Sequence, residues 1–380
     1  MRSATSTLRL VLPPFVAGKV VAILVPVLTV WSTSSGHGFP GYGDLVRPFG
    51  SWDGENYRQI AEHGYPSGPL DLTPGDPGHL WGFFPGYALL LRFALFFFRD
   101  DITAGIVVSS VCTLIGLVYL AKLMQLERGD SDSAQFSTWL LMLYPYAVFL
   151  TALYTESAFL AAATASLYYM RRGDNGRASI AAAIAMLVRI TGLALIPALL
   201  IEYLRRRRWQ PGSGLLYIAA SLLPLLGFAW YAQHLTGDAL AYQHVQQSAS
   251  YGNRTTTWPW LGLWHTWQAA TSGASGRDSY IFMMEVIFGV SGFVLLVLLA
   301  LNWRRIAPSL TLFAAGVWVL GASLTYWLGM PRYEMTMVPI YIFAADITQR
   351  RPQLRLPILI VSCGWMAFVA SSLGTGRYTG

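Results

Sequence analysis

Residues 51–65 of this 380-residue chain hold the motif whose residue types and spacing are most suited to chemistry. Apolar or aromatic side chains recur at 57, 60, 61 and 65, which is a helical spacing. The motif predicts an amphipathic surface helix with Asp53 at its N-cap position and Gly64 and Pro66 at its end. A carboxylate in the place of Asp53 can take a proton from a hydroxyl group as a general base. A plain helix cap is the structural alternative.

The same predicted helix offers further candidates for contacts to a substrate. Trp52 and Glu55 stand near its start, and Arg58 and His63 lie on its polar face. They add polar and aromatic groups beside Asp53.

Other ionisable side chains stand at the ends or breaks of apolar runs. They are Glu156 in Tyr-Thr-Glu-Ser, Arg189 in Arg-Ile-Thr-Gly, Arg332 beside Tyr333, and His79 before Trp-Gly-Phe-Phe-Pro. Ionisable residues at membrane depth are candidates for function. Each also has a structural alternative: a glutamate in a turn facing water, an arginine paired with a carboxylate, or a histidine at an interface.

The composition of the whole chain indicates that these residues lie in or near a membrane. Hydrophobic residues make up 54% of the chain and charged residues 12%, with a mean hydropathy of +0.45, whereas soluble domains are about 25% charged. At about 20 apolar residues per crossing, the chain has room for about ten crossings and two longer polar loops. We therefore expect an all-α polytopic membrane protein in which residues 1–380 form a single membrane-embedded domain.

The basic residues indicate topology. The net charge of +7 is spread over small clusters between apolar runs. This pattern is typical of the cytoplasmic loops that the positive-inside rule describes, and not of a surface that binds nucleic acid. The run 10–31 is predicted to be an uncleaved first span with the N-terminus in the cytoplasm. Cys112 and Cys363 lie inside apolar runs, which excludes a disulfide framework and a thiolate metal site.

Two extracytoplasmic loops follow from this orientation, one at 32–102 and one at 234–280. Within the first loop, residues 86–98 would reach only about 20 Å as a helix, too short to cross, and we predict an interfacial helix. The second loop is rich in tryptophan, which predicts an interfacial anchor or, alternatively, an aromatic platform for a sugar or lipid. These tryptophans are Trp258, Trp260, Trp264 and Trp267.

The stretch 178–204 is interrupted at Arg-Ile-Thr-Gly and predicts a hairpin of two short helices with Arg189 at its outer tip. Such a break is tolerated where protein or a wet cavity surrounds it. About eleven membrane-entering helices result, with the C-terminus outside. The other predicted spans are 103–122, 135–151, 156–171, 213–233, 281–301, 308–328, 333–349 and 355–373.

Under this topology the acids and arginines converge on one cavity at the outer leaflet. That composition suits an anionic lipid-linked substrate and a hydroxyl acceptor, because arginines stabilise charge on a departing phosphate. No phosphate-binding glycine loop, HExxH motif or nucleophile elbow is present, and we predict no metal. A transporter, flippase or binding protein for a lipid-linked sugar is the alternative, since such proteins also contain intramembrane charges and broken helices.

Several motifs, in order, resemble the PIG-V family, the GPI mannosyltransferase 2 group and its bacterial relatives. The resemblance lies in residues 52–65, Phe-Phe-Pro at 83–85, 152–157, Arg-Ile-Thr-Gly at 189–192, 236–246 and Pro-Arg-Tyr at 331–333. The chain departs from the expected pattern at 76–79, where Asp-Pro-Gly-His replaces an acidic residue beside the histidine.

The resemblance implies a GT-C glycosyltransferase fold and an inverting transfer of mannose, or another polyprenyl-linked sugar, from a polyprenyl-phosphate donor, with no further cofactor. Asp53 would be the general base. The form of 236–246 is similar to the bacterial branch, which implies a multi-pass plasma membrane protein whose extracytoplasmic site takes a glycolipid or glycan acceptor other than a GPI anchor. The candidates for the donor phosphate or sugar are Arg332, Arg189, Tyr333, Trp52, Glu55 and Arg58, and those for the acceptor or for supporting contacts are Glu156, His63 and His79.

Overall fold

A computed structural model describes residues 4–34, 39–73, 75–248, 252–273 and 279–377. This part of the chain is helical, and one isolated antiparallel bridge joins Thr256 and Leu324. The helices are α1 Ala4–Thr33, α2 Tyr42–Val46, α3 Asp53–His63, α4 Pro85–Ala94, α5 Asp101–Arg128, α6 Ser131–Met142, α7 Glu156–Arg172, α8 Asn175–Val188, α9 Leu195–Arg206, α10 Gly214–Ala220, α11 Leu223–Thr236, α12 Ala241–Gln247, α13 Pro259–Thr271, α14 Ser279–Leu301, α15 Pro308–Ala322, α16 Met330–Thr336, α17 Pro339–Arg350 and α18 Arg355–Gly374.

Five helical segments of the described chain are long and apolar enough to cross a membrane, and α8 and α15 are shorter apolar helices. Large apolar side chains such as Leu226 and Phe293 stay exposed along them, as expected where lipid is the neighbour. The all-α polytopic membrane fold predicted from composition is confirmed. The five segments are Ser6–Thr33, Asp101–Arg128, Gly214–Thr236, Ser279–Leu301 and Pro352–Gly374.

Two predicted spans, 135–151 and 333–349, are wrong as continuous helices. Helix α6 ends at Met142, shortly before Pro145, and a new helix α17 begins at Pro339 after the short α16. Proline lacks a backbone N–H and cannot donate the hydrogen bond that would continue a helix through it, which interrupts both stretches. The predicted span 308–328 likewise ends as a helix at Ala322.

The irregular segment after α6 is buried, and side chains from α1 and α5 satisfy its backbone. The carbonyl oxygen of Leu150 accepts hydrogen bonds from Lys19 Nζ at 2.7 Å and Thr113 Oγ1 at 2.8 Å. Ser109 Oγ donates to the carbonyl of Ala152 at 2.8 Å. Protein groups thus replace the water that a broken helix needs at membrane depth.

The predicted hairpin is confirmed. Helix α8 ends at Val188, Arg189 is extended (φ −152°, ψ 145°), a 3₁₀ turn covers Ile190–Ala194, and α9 leads away. Gly192 closes the turn against α8, where a Cβ on this residue would lie 2.6 Å from the backbone nitrogen of Met186.

In the first loop, α3 buries the predicted face, with Tyr57, Ile60 and Ala61, against α4 and its neighbours. Arg92 of α4 donates from Nε to the carbonyl of Ala61 at 2.7 Å, so its charge meets the C-terminal end of α3. Helix α4 has ten residues, about 15 Å of helix, which is too short to cross. Asp53 is the first residue of α3 rather than its N-cap, because Trp52 occupies the cap position with φ 59°.

Candidate active site

Four predicted site residues, from four distant parts of the sequence, form one network of ion pairs. Arg332 Nη1 lies 3.1 Å from Asp53 Oδ2 and 3.4 Å from Glu156 Oε1. Arg189 Nη1 lies 2.6 Å from the same Glu156 oxygen. Opposite charges therefore alternate from Asp53 to Arg189, which compensates them where water is scarce.

Helix starts and ends place these side chains. Asp53 and Glu156 each begin a helix, α3 and α7, and Arg189 follows the last residue of α8. Arg332 lies in the first turn of α16, whose backbone N–H groups at Gly329 and Met330 donate to Glu285 of α14 at 2.7 and 2.6 Å.

Glu285 was not predicted as a site residue. A single acidic residue inside the apolar run 281–301 is the signal that points to it. By holding the start of α16, it sets the position of Arg332.

Aromatic rings support both guanidinium groups. Arg189 Cζ lies 5.1 Å from the centre of the Tyr333 ring, and Arg332 Cζ lies 5.3 Å from the ring centres of both Phe149 and Tyr154. At these distances the ring faces attract the cations and limit their orientations. Tyr333 is thus part of the same arrangement.

A cavity of about 530 Å³ opens onto this cluster, and Asp53, Arg189, Arg332 and Tyr333 line it. Its other wall comes from the second outer loop and was not predicted as part of the site, although the resemblance included residues 236–246. This wall supplies Tyr242, Gln243, Gln246, Gln247 and Arg254. Ligand pockets usually measure about 300–1,000 Å³, so the cavity has the size of a small-molecule site.

Only one of the two carboxylates is accessible from the cavity. The side chain of Asp53 is 32% exposed, whereas that of Glu156 is 0% exposed and holds two arginines. Burial, together with the nearby Asp53 carboxylate, raises the pKa of Tyr57 well above its usual value. Asp53 therefore presents its carboxylate to the cavity, whereas Glu156 does not.

Five other predicted site residues lie outside this cavity. Glu55 pairs with Arg58 at 2.7 Å, and Arg58 also binds Asp101, the first residue of α5. Glu55 and Arg58 therefore face the start of α5 rather than the cluster. Trp52 points away, beside Arg47 and Gly374. His63 and His79 also lie away from the cavity.

The two histidines have different surroundings. His63 is largely exposed at the end of α3. His79 Nε2 lies 2.9 Å from Asn56 Oδ1 and its Nδ1 lies 2.7 Å from the carbonyl of Asp76. His79 thus ties the 3₁₀ turn Pro77–Gly82 of the first loop to α3, whereas the side chain of His63 is largely exposed.

The tryptophans of the second loop lie on the outer surface of α13 and its start. All four are exposed, Trp258 and Trp260 stack at 4.9 Å, and none lines the cavity. This placement favours the interfacial anchor over a platform inside the site. Among the described residues, no group of three or more His, Cys, Asp or Glu side chains is placed to hold a metal ion.

Comparison with known sequences gives a partial relationship to a curated protein. No protein-family model matches the chain. The chain is 28% identical over 168 residues to GPI alpha-1,6-mannosyltransferase 2 of Cricetulus griseus, a match that covers 41% of this chain and 32% of that protein.

Comparison with solved structures shows the fold. The Archaeoglobus fulgidus oligosaccharyltransferase has a TM-score of 0.54 at 14% identity, covering 97% of this chain and 53% of that one. ArnT from Cupriavidus metallidurans, solved with undecaprenyl phosphate, has a TM-score of 0.52 at 16% identity, covering 88% and 60%. The chain thus spans little more than half the length of these neighbours. Its fold is the GT-C glycosyltransferase fold, and the resemblance to the PIG-V family that the motifs indicated is confirmed.

Proposed function

We propose that the protein is an inverting glycosyltransferase that moves mannose from polyprenyl-phosphate mannose to a hydroxyl group of a lipid-linked or cell-envelope acceptor. The observation that carries the proposal is an accessible Asp53 carboxylate 3.1 Å from Arg332 at the edge of a cavity lined by arginines. Two comparisons support it: the partial relative is a mannosyltransferase, and ArnT was solved with a polyprenyl phosphate.

The reaction is a single in-line displacement. The acceptor oxygen attacks C1 of the sugar from the face opposite the phosphate, Asp53 takes the hydroxyl proton, and the bond from C1 to the phosphate oxygen breaks. Inversion at C1 converts a β-linked donor into an α-mannoside. One carboxylate suffices because phosphate is a good leaving group, unlike the leaving group of a glycoside hydrolase, which needs a second acid.

We assign the remaining polar groups of the cavity lining either to the phosphate or to the sugar of the donor. Arg332 and Arg189 stabilise the charge that develops on the leaving phosphate. The amides of Gln243, Gln246 and Gln247 face the same cavity and suit the hydroxyl groups of a sugar. Because arginines meet the phosphate charge, we propose that the donor is a co-substrate and that no metal or other cofactor takes part.

We further propose a multi-pass protein of a bacterial plasma membrane with its N-terminus in the cytoplasm and its active site outside. Basic residues support this orientation, since several clusters meet at the end of the molecule opposite the cavity. Arg171 pairs with Glu127 there, and Arg128 donates to the carbonyl of Arg305. The positive-inside rule assigns that end to the cytoplasm.

The test uses the purified protein in detergent with labelled polyprenyl-phosphate mannose and candidate lipid acceptors. We expect a mannosylated acceptor and free polyprenyl phosphate in the absence of any gradient, with an α-linkage by NMR. Movement of the donor across a reconstituted bilayer without product would instead identify a flippase. A β-linked product would contradict the single displacement.

A further inference from the structure

A second cavity, of about 440 Å³, lies at the end of the molecule away from the active site. Helix α7 connects the two ends, since Glu156 is its first residue and Arg171 lies in its last turn. Fifteen residues of helical rise separate these positions by about 22 Å. The charged residues that line this basic cavity are Glu127, Arg171, Glu202, Arg205, Arg206, Arg304 and Arg305.

The carboxylates of the basic cavity are already neutralised. Arg171 lies 2.6 Å from both Glu127 Oε1 and Glu202 Oε1, and Arg206 Nε lies 2.8 Å from the same Glu202 oxygen. Ser309 donates to the other oxygen of Glu202 at 2.7 Å. These bonds form the inner wall and leave neither acid available to the outer arginines.

Three arginines of the basic cavity are not paired with these carboxylates, namely Arg205, Arg304 and Arg305. All three are exposed, and none of them forms an ion pair within the described part of the chain. Each guanidinium offers five N–H donors in a fixed fork that matches the oxygens of a phosphate. An anion bound between them would therefore meet charge and hydrogen-bond donors together.

The rim of the basic cavity places it at the level of lipid headgroups. Trp303 is 57% exposed, and Leu301, the last residue of the apolar helix α14, is 72% exposed. Arg304 Cζ lies 5.4 Å from the centre of the Trp303 ring. Exposed tryptophan beside the end of an apolar helix is typical of the membrane interface, where an anion is most often a lipid phosphate.

We propose that the basic cavity binds the phosphate headgroup of an anionic phospholipid, on the membrane face opposite the active site. Basic pockets between membrane helices bind such headgroups in general. Cardiolipin, with two phosphates, is the probe of choice because three arginines are free to contact it. The site is separate from the proposed transfer reaction.

The test compares cardiolipin binding by native mass spectrometry for three proteins: the unaltered chain, Arg304→Gln/Arg305→Gln and the control Arg350→Gln/Arg351→Gln. The control removes the same charge near the end of α17, outside the basic cavity. At about 1 kcal/mol per arginine, cardiolipin affinity should fall about 10- to 30-fold in the first variant and change little in the control. An equal loss in both variants would reduce the site to general surface charge and overturn the proposal.

Further measurements use the unaltered protein to identify the ligand, so they do not depend on the folding of a variant. Cardiolipin and phosphatidylglycerol should raise the melting temperature, whereas phosphatidylcholine should not. Sodium pyrophosphate, which carries phosphate but no lipid, tests whether the cavity binds a free phosphate rather than a lipid headgroup. Equal stabilisation by phosphatidylcholine, or by pyrophosphate without any lipid preference, would overturn the lipid assignment.

Discussion

At the residue scale, the alternation of Asp53, Arg332, Glu156 and Arg189 explains how four charges share one membrane-embedded site. The central glutamate contacts both arginines through one oxygen, so it sets their spacing. Buried charges are stable only when they are paired and hydrogen-bonded. Loss of one member should therefore affect both stability and activity.

Glu156→Gln should lower the free energy of unfolding by about 3–5 kcal/mol, because it leaves two largely buried arginines with a single carboxylate. Thermal unfolding in detergent measures the change. Glu55→Gln is the control, since Glu55 belongs to an exposed pair with Arg58 and such pairs contribute about 0–1 kcal/mol. Equal melting temperatures for the two variants would show that the buried cluster does not stabilise the fold.

Arg332→Lys should lower kcat/KM for transfer about 10- to 100-fold. Lysine keeps the charge but lacks the planar fork, and a charge-assisted hydrogen bond is worth about 1.5–3 kcal/mol. Steady-state kinetics with labelled donor checks this, and Arg99→Lys, outside the cavity, serves as the matched control. Unchanged kinetics would mean that positive charge alone accounts for the role of Arg332.

The structure brings together Asp53, Glu156, Arg189, Arg332 and Tyr333, all of which the sequence motifs had singled out. Glu156, Arg189 and Arg332 stand at polar breaks in apolar runs, and Asp53 begins a predicted amphipathic helix. Both features are visible without a structure. The wall formed by Gln243 and Arg254 was not predicted, because its position depends on how the second loop folds over the first. Glu55 and Arg58 share a helix with Asp53 but turn towards Asp101, a contact that helical spacing does not reveal.

At the element scale, interrupted helices position the candidate site residues. The hairpin of α8 and α9 presents Arg189, and the short α16 presents Arg332. The first break was predictable from the polar motif inside an apolar run. The interruptions at Pro145 and Pro339 were not predicted, because hydropathy alone continues through both prolines.

Gly192→Ala should destabilise the protein and reduce transfer, since its Cβ would lie 2.6 Å from backbone atoms of α8 and would displace the turn that holds Arg189. We expect a loss of about 1–3 kcal/mol, typical of overpacking. Gly364→Ala in α18 is the control, because a Cβ there has nothing within 4 Å and alanine favours a helix. Similar melting temperatures and rates for both variants would contradict the close packing of the turn.

At the scale of the whole molecule, the two ends differ in the charged residues that they gather. One end gathers acids, arginines and a cavity under two polar loops, and the other gathers the basic clusters. Composition and charge placement predicted this division because both follow from the membrane itself. The packing of the helices was not predictable, since apolar faces of similar composition do not specify their neighbours.

Cysteine labelling tests the orientation. In a background with Cys112→Ser and Cys363→Ser, we expect Asp44→Cys to react with a membrane-impermeant maleimide on intact cells. Arg207→Cys should react only after permeabilisation. Both positions are exposed, so accessibility depends on the side of the membrane. The reverse pattern would place the cavity in the cytoplasm.

The most direct test of the central claim is the rate of mannosyl transfer by Asp53→Asn, measured in protein that still folds and binds the donor. Asparagine keeps the size of the side chain but cannot take the acceptor proton, and general base catalysis is worth about 10²–10⁴-fold. Asp44→Asn, an exposed carboxylate of the same loop, is the control and should retain the unaltered rate. A fall of at least a hundredfold with donor binding preserved is the predicted result, and a loss of only a few-fold would remove Asp53 from the role of base.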